Sequence, residues 1–239
     1  MQVVILCGGR GTRLRGHFSD TPKPLVEIGG KPILWHIVKM YSHYGFNDFI
    51  FCLGYKAELI KKFFRAEKEK NWKIRFVDTG LNTNTGGRIK KIEKLICSET
   101  FFATYGDGLS DLDLRRLLRF HRHKGRIATI TCVKPRSPFG IAQIDRSGQV
   151  VGFKEKPFLN QWVNGGFFVF ERRIFDYLKA SDILEKDSFG RLIREGQLAA
   201  YKFKGFWDCM DTYKDHLVLN ELWAQGNALW AKWLKGGRK

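Results

Sequence analysis

The sequence predicts an α/β fold: a doubly wound, mostly parallel mixed sheet carrying a small β-rich insertion. Three observations lead there. Strand and helix signals alternate up to Gly125, which is the pattern of parallel strands joined by crossover helices. The opening apolar run Val3 to Leu6 breaks at Cys7 into Gly8, Gly9 and Gly11, a strand feeding a tight loop. The chain has 239 residues and is 44% hydrophobic, enough to bury one large core.

The elements follow in order. Gln2 to Leu6 reads as a buried strand. Pro32 opens a helix with Ile33, Leu34, Ile37, Val38 and Tyr41 on one face, and Gly45 closes it. Phe49 to Leu53 is a second strand. Tyr55 to Lys70 reads as a helix with Leu59, Ile60, Phe63 and Phe64 inward and a Lys/Glu face outward. Lys73 to Val77 is a third strand, Gly86 to Leu95 a helix, Phe101 to Tyr105 a fourth strand and Leu112 to His123 a further helix. Beyond Gly125 the spacing shortens. Ile127–Val133, Gly140–Ile144 and Val150–Phe153 read as strands on short turns, then Phe167–Phe170 as a strand and Arg172–Ala180 as a helix. Tyr213 to Lys235 is helical in pattern and carries Trp223, Trp230 and Trp233. That tail reads as a helix packing its aromatics on the body, with subunit contact or a membrane surface as alternatives. No repeat, linker or composition shift divides the chain. It is expected to be one domain: two halves (1–125 and 126–212) and a helical tail (213–239).

Bulk properties exclude several classes. Five cysteines, an odd number with no close pair, argue against a disulfide framework or zinc knuckle. His121 and His123 stand two apart on a helix and point to different sides. No apolar stretch approaches the ~20 residues of a membrane-spanning helix, and the start lacks a signal-peptide pattern, so a cytoplasmic protein is expected. The net charge of +18 favours an anionic ligand. It is spread from Arg10 to Lys239, however, and no nucleic-acid-binding signature accompanies it.

A strand, a glycine loop and a helix form the general layout of a phosphate site, because small residues let backbone N–H groups approach the anion. Gly11-Thr12-Arg13 is not a Walker ending, and Leu14 stands where a dinucleotide fingerprint needs its third glycine. The loop is distinguished by the cations within and beside it: Arg10, Arg13 and Arg15. Lys23 follows between Pro22 and Pro24, whose rings restrict the backbone. Arg13 and Lys23 could clamp a triphosphate, or stand as two exposed loop cations. Asp107 lies at the end of a strand in Gly106-Asp107-Gly108, where open α/β sheets bind ligands; Asp-Gly is also a turn signal. Asp211 in Cys209-Met210-Asp211-Thr212 is a second candidate, or a helix N-cap. Two such carboxylates suit Mg²⁺, which keeps phosphate and water among its ligands.

Several motifs in fixed order go further: LCGGRGTRL, TPKPLVEIGGKPILWHIVKMYSHYG, FVDTG, TGGRIKK, TYGDGLSDLD, FKEKP, NGGFFVF, GFWDCMDT and LWAQGNALW. With them the chain resembles the sugar-1-phosphate nucleotidyltransferases nearly end to end, and among these the cytidylyltransferases of glucose 1-phosphate. The resemblance implies a Rossmann-like nucleotide-diphospho-sugar transferase fold. It implies transfer of CMP from CTP to glucose 1-phosphate, giving CDP-glucose and pyrophosphate, in a homo-oligomer that binds no nucleic acid. By motif, Leu6, Cys7, Gly8, Gly9, Gly11 and Thr12 would hold the nucleotide, with Arg13 on the leaving phosphates and Lys23 near the reacting centre. Thr85, Gly86 and Gly106 would complete the nucleotide set. Tyr105, Glu155, Lys156, Asn164 and Gly165 would bind the sugar phosphate, and Asp107 and Asp211 would hold Mg²⁺. The loop Asn82 to Gly87 is like that of the cytidylyl type; UTP, dTTP or GTP is the alternative donor. Two departures stand out. The chain runs directly from Arg65 to Val77, where relatives carry a longer segment involved in subunit contacts. It continues Ser188-Phe189 after Glu185 and Asp187, where relatives place a proline. A polyanion-binding module without chemistry is the rival outside the enzymes.

Overall fold

The β-branched run Gln2–Leu6 forms β1, buried along its whole length. The computed structural model describes residues 1–11, 14, 16, 18, 21–67, 69 and 71–237. After β1 come a 3-10 turn at Lys23–Leu25 and the small hairpin of β2 (Glu27–Ile28) and β3 (Lys31–Pro32). Helix α1 (Ile33–His43) buries the stripe of Ile33, Leu34, Ile37, Val38 and Tyr41 that its spacing prescribes. Then follow β4 (Asp48–Leu53), α2 (Ala57–Ala66), β5 (Lys73–Asp78), α3 (Thr85–Lys91), β6 (Thr100–Tyr105), β7 (Gly108–Ser110) and α4 (Leu114–Lys124). Asp113 caps α4 by accepting the Arg116 N–H, and Gly125, at φ 57°, ends it in the left-handed region. The second half adds β8 (Ala128–Val133), β9 (Ile141–Ile144), β10 (Val150–Lys154), β11 (Val163–Glu171), α5 (Phe189–Arg194), β12 (Leu198–Lys202), β13 (Trp207–Cys209) and α6 (Tyr213–Ala224).

The central sheet has seven strands in the order β12-β8-β11-β6-β1-β4-β5. All neighbours pair parallel except β11, which runs antiparallel between β6 and β8. Strands from both halves therefore share one sheet. Successive β1 residues serve opposite faces. Val3 and Ile5 join one core with α1, α2 and α4, while Val4 and Leu6 join another with α3 and α5. Helices thus cover both faces, as a doubly wound sheet requires. In register, Leu6 lies opposite both Cys52 and Tyr105, so β1, β4 and β6 end at one level. Their loops open on a single rim, the usual ligand edge of such sheets.

Four expectations are corrected. The second helix spans Ala57–Ala66, shorter than expected, and Leu59 is 42% exposed. Ile60 and Phe64, one helical turn apart, take the core, which leaves Leu59 off that stripe. Arg172–Ala180 is not an α-helix but a 3-10 turn at Arg172–Tyr177. The chain there turns away so that the Asp182 carbonyl can accept the Gly87 N–H at 3.1 Å. The helix expected over Gly86–Leu95 is α3 followed by a 3-10 turn at Glu93–Leu95. The tail is not one helix to Lys235: α6 stops at Ala224, and Gly226 takes a positive φ of 71°. The chain then folds back, so that the Trp230 indole N–H reaches His36 Nδ1 at 3.3 Å. The aromatics pack on the body.

Candidate active site

The glycine loop is shaped from below by Arg88, on α3. This side chain is buried, and among the described residues no carboxylate hydrogen-bonds to it. Its guanidinium donates to the carbonyls of Leu53 (2.9 Å), Gly8 (3.1 Å) and Leu81 (3.4 Å) and to Thr79 Oγ1 (2.6 Å). It thereby ties together the ends of β1, β4 and β5. A side chain at Gly8 would come within 2.2 Å of Arg88 Nη1, so glycine is required there. A Cβ at Gly9 would meet nothing within 4 Å: that residue faces the cleft.

The cleft holds about 230 Å³ and is walled by Leu6, Cys7, Gly9, Gly11, Gly106 and Pro24. Lys23, Asp107 and Asp211 complete the wall. The Lys23 side chain is 12% exposed, and its Nζ donates to Asp107 Oδ2 at 2.7 Å and to Asp211 Oδ1 at 2.6 Å. Pro22 is extended, with φ −66° and ψ 141°, and leads into the 3-10 turn that aims Lys23 inward. Burial alone would weaken the hold of the ammonium on its proton; the two carboxylates outweigh that and raise its pKa above the ordinary lysine value.

A ladder of three residue pairs explains how two distant aspartates meet. Strand β7, directly after Asp107, pairs antiparallel with β13, shortly before Asp211: Cys209 lies opposite Gly108, Asp208 opposite Leu109 and Trp207 opposite Ser110. The Met210 N–H donates to the Asp107 carbonyl at 2.9 Å. Asp211 is not the N-cap; Thr212 is, in a capping box with Asp215. Burial and the nearby carboxylates push the Cys209 thiol up, and burial pushes Cys7 up as well. Neither supplies a thiolate. The described wall of the cleft contains no histidine.

The donor set fits Mg²⁺. Asp107 and Asp211 are hard oxygen ligands that already share one cation, the ammonium of Lys23. Among the described residues no cluster of three or more His, Cys, Asp or Glu could hold a metal. Two carboxylates with open positions suit an ion that takes its other ligands from phosphate and water.

The other described residues among those predicted stand outside this wall. Thr12 and Arg13 lie outside the described residues. Asn164 Oδ1 accepts the Gly166 N–H at 2.9 Å, and the Gly165 carbonyl accepts the Trp207 indole N–H at 2.7 Å. These bonds shape an irregularity in β11, where the register shifts between Asn164 and Phe168. Through Trp207 this bulge is one strand from Asp107. The Tyr105 ring stands edge-on to Phe168. Glu155 and Lys156 are exposed beyond β10 and pair with each other at 3.1 Å, with Lys156 at φ 44°. Thr85 Oγ1 donates to Glu185 at 3.1 Å and accepts the Leu184 N–H at 2.9 Å, and a Cβ at Gly86 would reach Asp182 at 2.8 Å. Sequence reasoning missed Arg88 and the β7–β13 ladder. A glycine two residues before Arg88 and another at Gly8 were the available signals.

Comparison with known proteins identifies a family and a fold. The nucleotidyl transferase family profile matches residues 2–224. The chain is 42% identical to the probable glucose-1-phosphate cytidylyltransferase of Bacillus subtilis, covering 98% of this chain and 100% of that protein. It is 40% identical to the glucose-1-phosphate cytidylyltransferase of Salmonella typhimurium, with the same coverage. The first of these alignments runs over 255 positions against a chain of 239 residues, so the relative carries residues without a counterpart here. Among solved structures, HddC from Yersinia pseudotuberculosis matches with TM-score 0.75 and 28% identity, over 93% of this chain and 99% of that one. Its complex with GMP-PN matches with TM-score 0.72 and 27% identity, over 93% and 99% of the two chains.

Proposed function

The chain belongs to the nucleotidyl transferase family, and we propose that it transfers CMP from CTP to glucose 1-phosphate, forming CDP-glucose and pyrophosphate. One observation carries the site assignment: Lys23 held between Asp107 and Asp211 in a glycine-walled cleft. A phosphate oxygen of the sugar phosphate forms a bond to the α-phosphorus of CTP. The bond from that phosphorus to the β-bridging oxygen breaks, and pyrophosphate departs with the electron pair. The nucleophile is already an anion, so no general base is required; what is required is that two polyanions be brought together in line. The backbone from Cys7 to Gly11 cradles the triphosphate, and Lys23 neutralises charge near the reacting phosphorus. Arg13 is assigned the leaving phosphates by its motif. Asp107 and Asp211 would hold Mg²⁺, which supplies charge neutralisation at the phosphates. Thr85, Gly86 and Gly106 take the nucleoside side. Tyr105, Asn164 and Gly165, with Glu155 and Lys156, take the sugar phosphate. The reaction is assigned to the cytoplasm and to a homo-oligomer; among the described residues no helix is long and apolar enough to cross a membrane.

Pyrophosphate release with glucose 1-phosphate, measured for CTP, UTP, GTP, ATP and dTTP, tests the donor. CTP is expected to give the highest kcat/KM. The GMP-PN complex of HddC makes GTP the second candidate, and a GTP preference would replace the CTP assignment. Asp107→Asn should abolish turnover with folding intact; unchanged turnover would remove its metal role.

A further inference from the structure

Helix α6 touches the backbone of Asp211 and the backbone of the segment that follows Lys23. In its first turn, Asp215 Oδ2 accepts the N–H of Asp211 at 3.0 Å and of Thr212 at 2.7 Å. The Asp211 N–H is shared with the Cys209 carbonyl at 3.1 Å, so the residue is fixed from both sides. From His216 to Asn220 the same helix grips the segment that follows Lys23. Asn220 Oδ1 accepts the Gly29 N–H at 3.0 Å, its Nδ2 donates to the Glu27 carbonyl at 3.3 Å, and His216 Nε2 lies 3.0 Å from that same carbonyl. Between Lys23 and Glu27 the chain has little freedom: it consists of a 3-10 turn containing Pro24, closed by Val26 N–H to the Lys23 carbonyl at 3.1 Å. The helix also blocks Gly29 from moving inward, since a Cβ there would lie 2.1 Å from Trp223 Nε1.

We propose that α6 sets the spacing between Lys23 and Asp211, with Asp215 as the positioning residue for Asp211 and Asn220 as the positioning residue for the Lys23 turn. This rests on the reading of Asp107 and Asp211 as the Mg²⁺ carboxylates and adds the residues that hold one of them in place. A helix of fixed rise connects the two grips, so an error at either end becomes an error in the ligand geometry of the metal–triphosphate complex.

The natural control is Thr212. Its hydroxyl accepts the Asp215 N–H at 3.3 Å and so caps the helix without touching Asp211. For wild type, Thr212→Ala, Asp215→Ala and Asn220→Ala, three quantities are measured. These are the Tm, the Mg²⁺ concentration giving half-maximal pyrophosphate release, and the calorimetric Kd of Mg²⁺–CTP without sugar phosphate. Thr212→Ala should lower Tm and leave the other two within about twofold. Asp215→Ala and Asn220→Ala should raise both the Mg²⁺ requirement and the Kd about tenfold, the lower end of what is usual for groups that orient metal ligands. The KM for glucose 1-phosphate should hardly move. If Asp215→Ala lowers Tm alone, as Thr212→Ala does, the proposal is wrong. Should Asp215→Ala not fold, Asp215→Glu keeps a capping box but moves the carboxylate off the Asp211 N–H; the same tenfold shift is expected, and its absence overturns the idea. The underlying reading fails separately, if wild type releases no pyrophosphate with Mg²⁺ and CTP or if Asp211→Asn leaves turnover intact.

Discussion

Lys23 and the β9–β10 hairpin sit at opposite extremes of burial, though both carry residues assigned to substrate. The Lys23 side chain is 12% exposed and bonded to carboxylates 84 and 188 residues away in the chain. On the hairpin, Ile144 is 64% exposed, Val151 62% and Phe153 65%, and β9 and β10 pair only with each other. Its turn is held by Asp145, whose carboxylate accepts the N–H groups of Ser147 and Gln149 at 2.9 and 3.0 Å. The difference teaches that the cleft proposed for the triphosphate is organised by tertiary packing. The proposed sugar-phosphate residues Glu155 and Lys156 are set by local geometry. Substitutions around Lys23 should therefore reach both turnover and stability, while those of the exposed apolar residues of the hairpin should reach neither.

The largest effect should come from Lys23→Ala. It removes the cation between two carboxylates, and kcat/KM for pyrophosphate release should fall about a thousandfold, at the upper end for a preorganised donor. A loss below tenfold would put Lys23 on a level with the hairpin. Next comes Gly8→Ala. The added methyl would press on Arg88 Nη1 at 2.2 Å and the Leu53 carbonyl carbon at 2.8 Å, which should cost about 2–3 kcal/mol in urea unfolding. An unchanged midpoint would show that Arg88 does not organise the loop.

His36 gives a pH test of how the tail is fixed to the body. Burial lowers its pKa to about 4, outweighing the opposing pull of the Ile28 carbonyl, which accepts from Nε2 at 2.8 Å, and the Trp230 indole N–H donates to the unprotonated Nδ1. Below the unfolded value near 6.5 the unfolded chain takes up a proton that the folded one refuses. Stability should thus fall as pH drops from about 6.5 to about 4, and level off below. The full shift corresponds to about 3 kcal/mol. In a His36→Gln variant this part of the acid slope should vanish, as read from urea titrations followed by tryptophan fluorescence. An identical slope would mean that the Trp230 contact opens before the ring titrates. The smallest effect should be that of Ile144→Thr on the hairpin, within about 0.5 kcal/mol of wild type, as for other exposed positions. A larger loss would show that the hairpin is buried in an assembly.

Legibility in the sequence followed range. Strands β1, β4 and β6 and helices α1 and α4 could be read because each declares itself within a dozen residues through apolar spacing, a proline or a capping aspartate. Strands β7 and β13 could not, because three residues carry no usable period. Helix α6 was read too long because nothing local announces the fold-back that His36 and Trp230 stabilise. Leu59 was misplaced because two apolar stripes run along α2 and only one meets the sheet. Arg88 carries no local mark of burial, and only the surrounding strand ends bury it.

By itself, then, the sequence determined the alternation of elements, the glycine loop after β1 and a lysine stiffened by flanking prolines. All of these arise from backbone preference and burial over short separations. Tertiary structure alone decided that Asp107 and Asp211 converge on Lys23, that Arg88 ties three strand ends together, and that Leu59 faces outward. Those outcomes depend on the register between β7 and β13 and on which groups lose water together, and such long-range pairings leave no periodic mark in a single chain.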